Sequence, residues 1–599
     1  MTVTTPVDPH EILRTTFGFS GFRGKQEAVV TRVLEGAHTC ALMPTGAGKS
    51  LCYQLPALIR HGTAIVISPL IALMHDQIRA AQAVGIRAAS MTSADADNAA
   101  TAQALREGAL DLLYVAPERA TTGGFQSLLG QADIALFAID EAHCVSEWGH
   151  DFRPDYRQLR PMLDRHGHVP RLALTATADK ATRADILVQL GIPDDGLIVA
   201  GFDRPNIRYA IAARNSGTKQ VADFAARTPG AGIVYATSRA ATEKLAKAIA
   251  RTGREAGYYH AGLPPEDRAR VQAKFVRSED MVMVATIAFG MGIDKPDVRF
   301  VVHAGLPKSI EAYYQETGRA GRDGDPAEAQ LFWGASDFAR ARHWLNESGL
   351  GDVEEARLAS EGARLNALAA LVESPTCRRA ILLRHFGENP PAACGNCDNC
   401  LEPPRVVDGT EVARKLLSAV YRTGQSFGIG HIEKVLLGRA DDRVIQRGHD
   451  KLSVFGILGE EEAALLRPVM RNLTAHEMLV TTEHGGLALG ATAREVLRDE
   501  RAVLIAEPPK KARRHRNGGA AANPTNDPLF EALRAKRAQL AKDNGVPAYI
   551  IFHDSVLRAM AAERPETLDE MGELPGVGAK KLETWGGEFV AVVRDVGSA

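Results

Sequence analysis

From about residue 25 to 335, short β-branched runs alternate with stretches rich in Ala, Leu and Arg, and this alternation constrains the fold more than any other feature. The apolar runs are AIVIS (64–68), LLYVA (112–116), IALFAID (134–140), LALTA (172–176), GIVYA (232–236), MVMVAT (281–286) and FVVHA (300–304). A strand buried on both faces shows no polar alternation, so continuous apolar runs between helical stretches predict parallel sheets covered on both sides. The series is too long for one sheet. The segment FDRPNIR after Gly201 interrupts it, which divides the region into two α/β lobes, 1–200 and 201–338.

Beyond the lobes the pattern changes. RLNALAALVESPTCRRAILLRHF (364–386) is helical and leads into a cysteine cluster, giving a small helical metal module over 339–405. Residues 406–505 mix helices with a hairpin candidate, LVTTEHGGLALG (479–490), in which His-Gly-Gly separates two apolar arms. Residues 506–526, rich in Pro, Gly, Asn and cations, read as a basic flexible linker. Residues 527–599 form a small helical domain with a Leu-Pro-Gly-Val-Gly turn at 574–578.

Composition narrows the classes. Gly 55 and Pro 30 in 599 residues are too few for a low-complexity or collagen-like chain. Lys+Arg 71 against Asp+Glu 73 gives a net charge of −2, so any nucleic-acid surface is local. The first 14 residues carry two prolines and two acids before any apolar run, unlike a signal peptide. The run over 62–74 has 13 residues, too short to span a bilayer. A soluble, cytoplasmic protein with no membrane partner is expected.

Three elements point to a nucleotide site. In MPTGAGKS (43–50), a loop built on Thr45, Gly46 and Gly48 at a helix N-terminus offers backbone N–H groups to phosphates. Lys49 then reaches the β and γ oxygens, and Ser50 holds Mg²⁺. The strict eight-residue pattern fails only at its first position, Met43. Second, IALFAIDEAH ends an apolar strand with Asp140 and Glu141, where an open sheet places ligands: Asp140 for Mg²⁺, Glu141 for the attacking water. Third, Arg319 and Arg322 in YYQETGRAGRDG (313–324) are three residues apart and can neutralise charge on a transferred phosphoryl group.

Of seven cysteines, Cys377, Cys394, Cys397 and Cys400 fall within 24 residues, which is metal arithmetic rather than a disulfide framework. An all-cysteine tetrahedral set leaves no open coordination position, so its role is structural; zinc and an iron–sulfur cluster both use such runs. Cys40, Cys52 and Cys144 read as core or loop thiols.

These motifs together resemble the RecQ family of superfamily 2 helicases. The likeness runs through LRTTFGFSGFRGKQ (13–26), MPTGAGKS, SPLIALMHDQ (68–77), DEAHCVSEWGHDFRPDY (140–156), LTATA (174–178), YHAG (259–262), VATIAFGMGIDKP (284–296) and QETGRAGRD (315–323), and then through the cysteines to the last domain. It implies two tandem RecA-like lobes, a zinc-binding helical module, a winged-helix domain over 406–505 matched at GHDKLSVFGI (448–457), and an HRDC-like domain matched at PAYIIF (547–552) and LPGVGAKKLETWG (574–586).

By the same resemblance Arg23 and Gln26 read the adenine of ATP, and Arg322 is the residue that completes the site across the cleft. The cluster holds Zn²⁺, and the loop from Cys144 to Tyr156, with Trp148, Phe152 and Arg153, senses DNA. An aromatic ring and a guanidinium suit that task because they stack on bases without reading sequence. In the winged helix Arg443, Arg447 and Lys451 are candidates for duplex phosphates. In the last domain Tyr549, Lys580 and Lys581 are the candidates, although residues 525–599 carry a net charge of −3 and KKARRHR (510–516) has more cations to offer. Two departures from the family pattern stand out: Lys25 where the family has glycine after a proline, and His75 where it has lysine.

The implied activity is ATP-dependent 3′→5′ unwinding of DNA in recombination, repair and the SOS response. The implied partners are single-stranded and duplex DNA and a single-stranded-DNA-binding protein, for a monomer working at the nucleoid. Two other classes fit the motor motifs, an ATP-regulated DNA clamp that does not unwind and an RNA helicase.

Overall fold

The computed structural model describes residues 7–92, 95, 97–146, 152–286, 289, 295–334, 336–338, 340–341, 352–476, 478–482, 486–506 and 527–597. Trp148, the centre of the hairpin turn, the cations of 510–516 and part of 284–296 lie outside the described residues.

The first lobe is a seven-stranded parallel sheet. Its strands are β1 (Thr39–Leu42), β2 (Thr63–Ile67), β3 (Ala88–Met91), β4 (Leu112–Val115), β5 (Ile134–Ile139), β6 (Arg171–Thr175) and β7 (Leu197–Val199), in the spatial order β3-β4-β2-β5-β6-β1-β7. Every residue of β1, β2, β4 and β6 is buried, which is why the centres of β2, β4 and β6 read as apolar runs; the polar Thr39, Thr63 and Arg171 sit buried at the first positions of β1, β2 and β6. Leu42 of β1 pairs with Thr175 of β6, and Ile139 of β5 with Ala173 of β6. The carboxyl ends of β5, β6 and β1 therefore open side by side on one edge.

The second lobe is a six-stranded parallel sheet of β8 (Ile207–Ala213), β9 (Ala231–Tyr235), β10 (Ala256–Tyr259), β11 (Val282–Ala285), β12 (Val298–His303) and β13 (Ala327–Trp333), ordered β10-β11-β9-β12-β13-β8. Seven residues separate β7 from β8, and they include Phe202–Asn206 of the interrupting segment.

Helices Asp352–Glu373 and Arg378–His385 follow, the second started by Cys377, whose sulfur accepts from the Ala380 N–H at 3.4 Å. Residues 406–506 form a unit with its own core, in which helix Thr410–Arg422 buries Val412, Leu416, Leu417 and Val420 on one face. Its hairpin pairs Leu479–Thr481 with Leu487–Leu489 antiparallel. Helices Pro528–Asp543, Asp554–Glu563 and Gly587–Gly597 close on a further core around Leu533, Phe552, Met560 and Phe589. Among the described residues no helix is long and apolar enough to cross a membrane.

Candidate functional site: a phosphate loop faced by a second lobe

The loop after β1 turns through Gly46 (φ +86°) and Gly48 (φ +73°) into helix Leu51–Ile59. Gly48 permits a close approach as well as the turn, since a Cβ there would lie 2.6 Å from Gln26 Nε2. Gln26 is buried and spends its amide on this loop: Nε2 donates to the carbonyls of Ala47 (2.8 Å) and Gly48 (3.3 Å), and Oε1 accepts from the Arg23 N–H (2.8 Å). Arg23 itself is exposed, with its guanidinium over the ring of Phe19. Lys49 Nζ lies 3.3 Å from the Met43 carbonyl, folded back over the loop it leaves.

Two adjoining strands complete this edge. Asp140, directly after β5, is buried, and its Oδ1 accepts the N–H of Glu141 at 3.0 Å. Glu141 sits at φ 48°, a left-handed conformation that costs a non-glycine residue about 1–2 kcal/mol and marks a locally imposed geometry. His143 Nδ1 lies 3.0 Å from Thr175 Oγ1, at the end of β6, and 3.4 Å from Glu141 Oε2. Thr175 in turn donates to the carbonyl of Thr177. The acids after β5 are thus wired to LTATA after β6, a link that sequence spacing gave no sign of.

The second lobe faces the loop. A Cβ on Gly46 would lie 3.3 Å from the Cα of Arg322, and one on Gly318 would lie 3.4 Å from the Cβ of Thr45. Arg319 is buried beside Tyr235 of β9, whose phenol burial pushes up to about 12 although Arg319 pulls the other way. The structure therefore brings Thr45, Gly46, Gly48, Lys49, Ser50, Asp140 and Glu141 to one edge and sets the loop of Arg319 and Arg322 against it. Such an arrangement can hold a polyphosphate between two bodies and bring cations to it from the far side.

Models of five families match the chain in order: DEAD/DEAH box helicase over 23–186, helicase conserved C-terminal domain over 218–324, RecQ zinc-binding over 335–401, RQC domain over 403–514 and HRDC domain over 526–593. Among curated relatives, the ATP-dependent DNA helicase RecQ of Haemophilus influenzae is 42% identical over 595 residues, which is 98% of this chain and 95% of that protein. The protein of that name from Bacillus subtilis is 36% identical, covering 97% of this chain and 98% of its own length. The chain belongs to the RecQ helicase family.

The RecQ zinc-binding module carries the four cysteines. Their sulfurs lie within 4.8 Å of one another, with Cys377 to Cys397 at 3.9 Å and Cys394 to Cys400 at 4.0 Å. Zn–S bonds of about 2.3 Å in a tetrahedron require sulfurs about 3.8 Å apart, so the donor set fits Zn²⁺. Cys40, Cys52 and Cys144 are buried elsewhere, and burial pushes the first two thiols up to about 12.

Of the aromatic loop, Phe152 is exposed with the Arg157 guanidinium over its ring. Arg153 donates to the Pro69 carbonyl at 3.1 Å, joining this loop to the segment after β2. The residues expected to meet DNA in the winged helix, Arg443 and Arg447, lie exposed over Phe427, which stacks on His431.

The HRDC domain is not a free appendage. Its Leu-Pro-Gly-Val-Gly turn meets the first lobe, where the Gly576 N–H donates to the Gly18 carbonyl at 2.6 Å. Arg534 and Arg537 meet Glu279 of the second lobe at 2.8 and 3.0 Å, and Arg558 pairs with Asp325. A cavity of about 240 Å³ lies where three parts join, lined by His75 and Arg79, by Gln272 and Arg277, and by Gly545 and Pro547. Tyr549 stacks parallel to His553, Lys580 pairs with Glu583, and Lys581 sits over Phe552.

Proposed function

We propose that the chain is an ATP-dependent DNA helicase that moves 3′ to 5′ on single-stranded DNA and opens duplexes in recombination and repair. The observation that carries the reading is the close approach of the Arg322 backbone to Gly46 across two lobes. A motor needs a nucleotide site that is complete only when two bodies meet, because closure can then be coupled to hydrolysis. The names of the relatives supply the substrate, and the zinc, RQC and HRDC modules, which the motor motifs alone do not require, favour DNA over RNA.

In this mechanism the loop amides around Gly46 and Gly48 bind the phosphates, and Lys49 swings from the Met43 carbonyl to the β and γ oxygens. Ser50 and Asp140 would hold Mg²⁺, which when bound offsets phosphate charge. Glu141, held in its left-handed turn, orients the attacking water. Arg322 meets the charge that develops on the γ-phosphoryl group, and Arg319 supports it from within the second lobe. Gln26 anchors the loop and, with Arg23, borders the base. Phe152, Arg153 and Trp148 report an occupied strand track to Glu141 through the segment they share with the DEAH acids. Cys377, Cys394, Cys397 and Cys400 would hold Zn²⁺, which would stiffen the module beside Phe202–Asn206 without taking part in the reaction.

The test is strand separation of matched 3′-tailed and 5′-tailed duplexes with ATP and Mg²⁺, using wild type and Lys49→Ala. Opening of the 3′-tailed duplex alone is expected, with ATP turnover lowered at least about 100-fold in the variant. DNA-stimulated hydrolysis without opening of either duplex would turn the reading to a clamp. Equal stimulation by RNA would turn it to an RNA helicase.

A further inference from the structure

The segment that interrupts the two lobes carries a side chain that no motif singled out. Arg204 is buried, and its two terminal nitrogens donate to four carbonyls: Nη1 to Thr45 (2.5 Å) and Gly318 (3.0 Å), Nη2 to Ala320 (2.9 Å) and Gly321 (2.9 Å). Three of these belong to the loop that carries Arg319 and Arg322, and the fourth belongs to the phosphate loop of the other lobe. We infer that Arg204 is a positioning residue that latches the arginine-bearing loop to the phosphate loop when the lobes close. The inference rests on the ATP-hydrolase reading above.

The asymmetry of the four bonds gives the latch its logic. Separation of the lobes leaves the bonds to Gly318, Ala320 and Gly321 intact and breaks only the bond to Thr45. Arg204 thus travels with the second lobe and makes its last bond only when the phosphate loop is in place. The four terminal hydrogens of a guanidinium point in one plane toward two pairs of acceptors, a pattern that a single ammonium nitrogen with three hydrogens cannot reproduce.

The surroundings hold Arg204 for that task. Asn206 Nδ2 donates to the carbonyls of Gly321 and Asp325, both at 2.8 Å, clasping the same loop from the same segment. Gly321 is at φ +56°, and a Cβ there would lie 2.5 Å from Asn206 Nδ2, so only glycine fits under the clasp. Arg379 of the zinc module donates to the carbonyls of Arg204 (3.2 Å), Pro205 (3.2 Å) and Ile207 (2.7 Å). Asn396, between Cys394 and Cys397, donates to the Pro205 carbonyl at 3.0 Å. The backbone that presents Arg204 is therefore pinned by residues seated on the metal cluster.

The experiment measures DNA-stimulated ATP hydrolysis by full-length wild type, Arg204→Lys and Asn206→Ala, with zinc content and melting temperature of each. The Asn206 variant removes a clasp on the same loop without touching the bond between lobes. Arg204→Lys is expected to lower kcat at least about tenfold with KM for ATP within about threefold of wild type, because misplacement of a group met only in the closed state costs turnover rather than ground-state binding. Zinc stays bound, and Asn206→Ala loses less. A wild-type kcat in Arg204→Lys overturns the latch, as does a loss that appears in KM alone, one matched in Asn206→Ala, or one that follows loss of zinc or of folded protein. Absence of hydrolysis in the wild type overturns the hydrolase reading, and the latch falls with it.

Discussion

The zinc module meets the second lobe through buried guanidinium groups bound to backbone carbonyls and through stacked rings, whereas the HRDC domain meets it through ion pairs, of which the buried Arg537 makes one and the partly exposed Arg534 and Arg558 make the rest. In the first junction Arg378 and Arg379 are both buried; Arg378 binds Asp398, whose Oδ2 accepts the N–H of Ile211 in β8. Phe386 of the module stacks on Phe202 at 4.6 Å, and the Phe386 carbonyl accepts from Arg183 of the first lobe. In the second junction the side chains of Arg534 and Arg558 are 40% and 44% exposed. Exposed ion pairs contribute about 0.2–1 kcal/mol each and are screened by salt, while a buried donor removed from its carbonyls costs about 1–3 kcal/mol. The difference separates a part of the motor from a body resting on it.

Loss of the metal tests the first junction hardest. Cys397→Ser, or chelation of the wild type, is expected to abolish the fold of the module, since structural Zn²⁺ supplies apparent free energies of about 10–16 kcal/mol in small sites. Calorimetry would show it, and a chelated protein that melts as the wild type does would remove the contrast between the junctions.

A smaller change should free the HRDC domain. Gly18 is at φ +73°, and a Cβ there would lie 2.5 Å from the Gly578 nitrogen, so Gly18→Ala cannot keep the docked turn. The left-handed backbone adds about 1–2 kcal/mol of strain. Small-angle scattering is expected to show a larger radius of gyration for this variant at low salt, and for the wild type near 1 M salt as the Glu279 pairs are screened. Equal radii in all conditions would place the domain among the permanent parts.

The smallest effect sharpens the comparison at the face between the zinc module and the winged helix. Glu373 ends helix Asp352–Glu373 3.8 Å from Arg471, with its side chain 10% exposed. Burial pushes its carboxyl up to about 7, against the pull of Arg471 and Arg378. On this group the folded state therefore holds a proton that the unfolded chain releases near 4.5, so the contribution of Glu373 to stability falls as pH rises from about 4.5 to 7 and is level outside that window. The fall is at most about 3 kcal/mol. The drop in melting temperature from pH 5 to pH 8 is expected to be larger in the wild type than in Glu373→Gln; the same drop in both would assign the dependence elsewhere.

Much of this was legible in the sequence for identifiable reasons. The seven strands β2, β4, β5, β6, β9, β11 and β12 were readable as apolar runs because parallel strands buried on both faces are mostly apolar. Strands β8 (IRYAIAA) and β13 (AEAQLFW), with charged or amide side chains within them, and the short half-buried β3, β7 and β10 were not. The phosphate loop, DEAH acids and cysteines stood out because their chemistry needs fixed spacing. Arg204, Arg379 and Asn206 were not, because a polar side chain that binds backbone carbonyls far away in sequence leaves no periodicity. Gln26 shows the middle case: resemblance assigned it to the adenine, while the structure shows its amide engaged with the phosphate loop. The glycines at 18 and 578 were opaque for another reason, since each matters through the backbone it lets approach.

The hydrogen bond from Gly576 to Gly18 joins residues roughly 560 positions apart. A ring of that size costs about 5–6 kcal/mol of closure entropy, growing only with the logarithm of its length. During synthesis the acceptor is made long before its donor, so both lobes, the zinc module and the winged helix can be assembled while this ring is still open. A contact closed last is one the earlier parts must fold without.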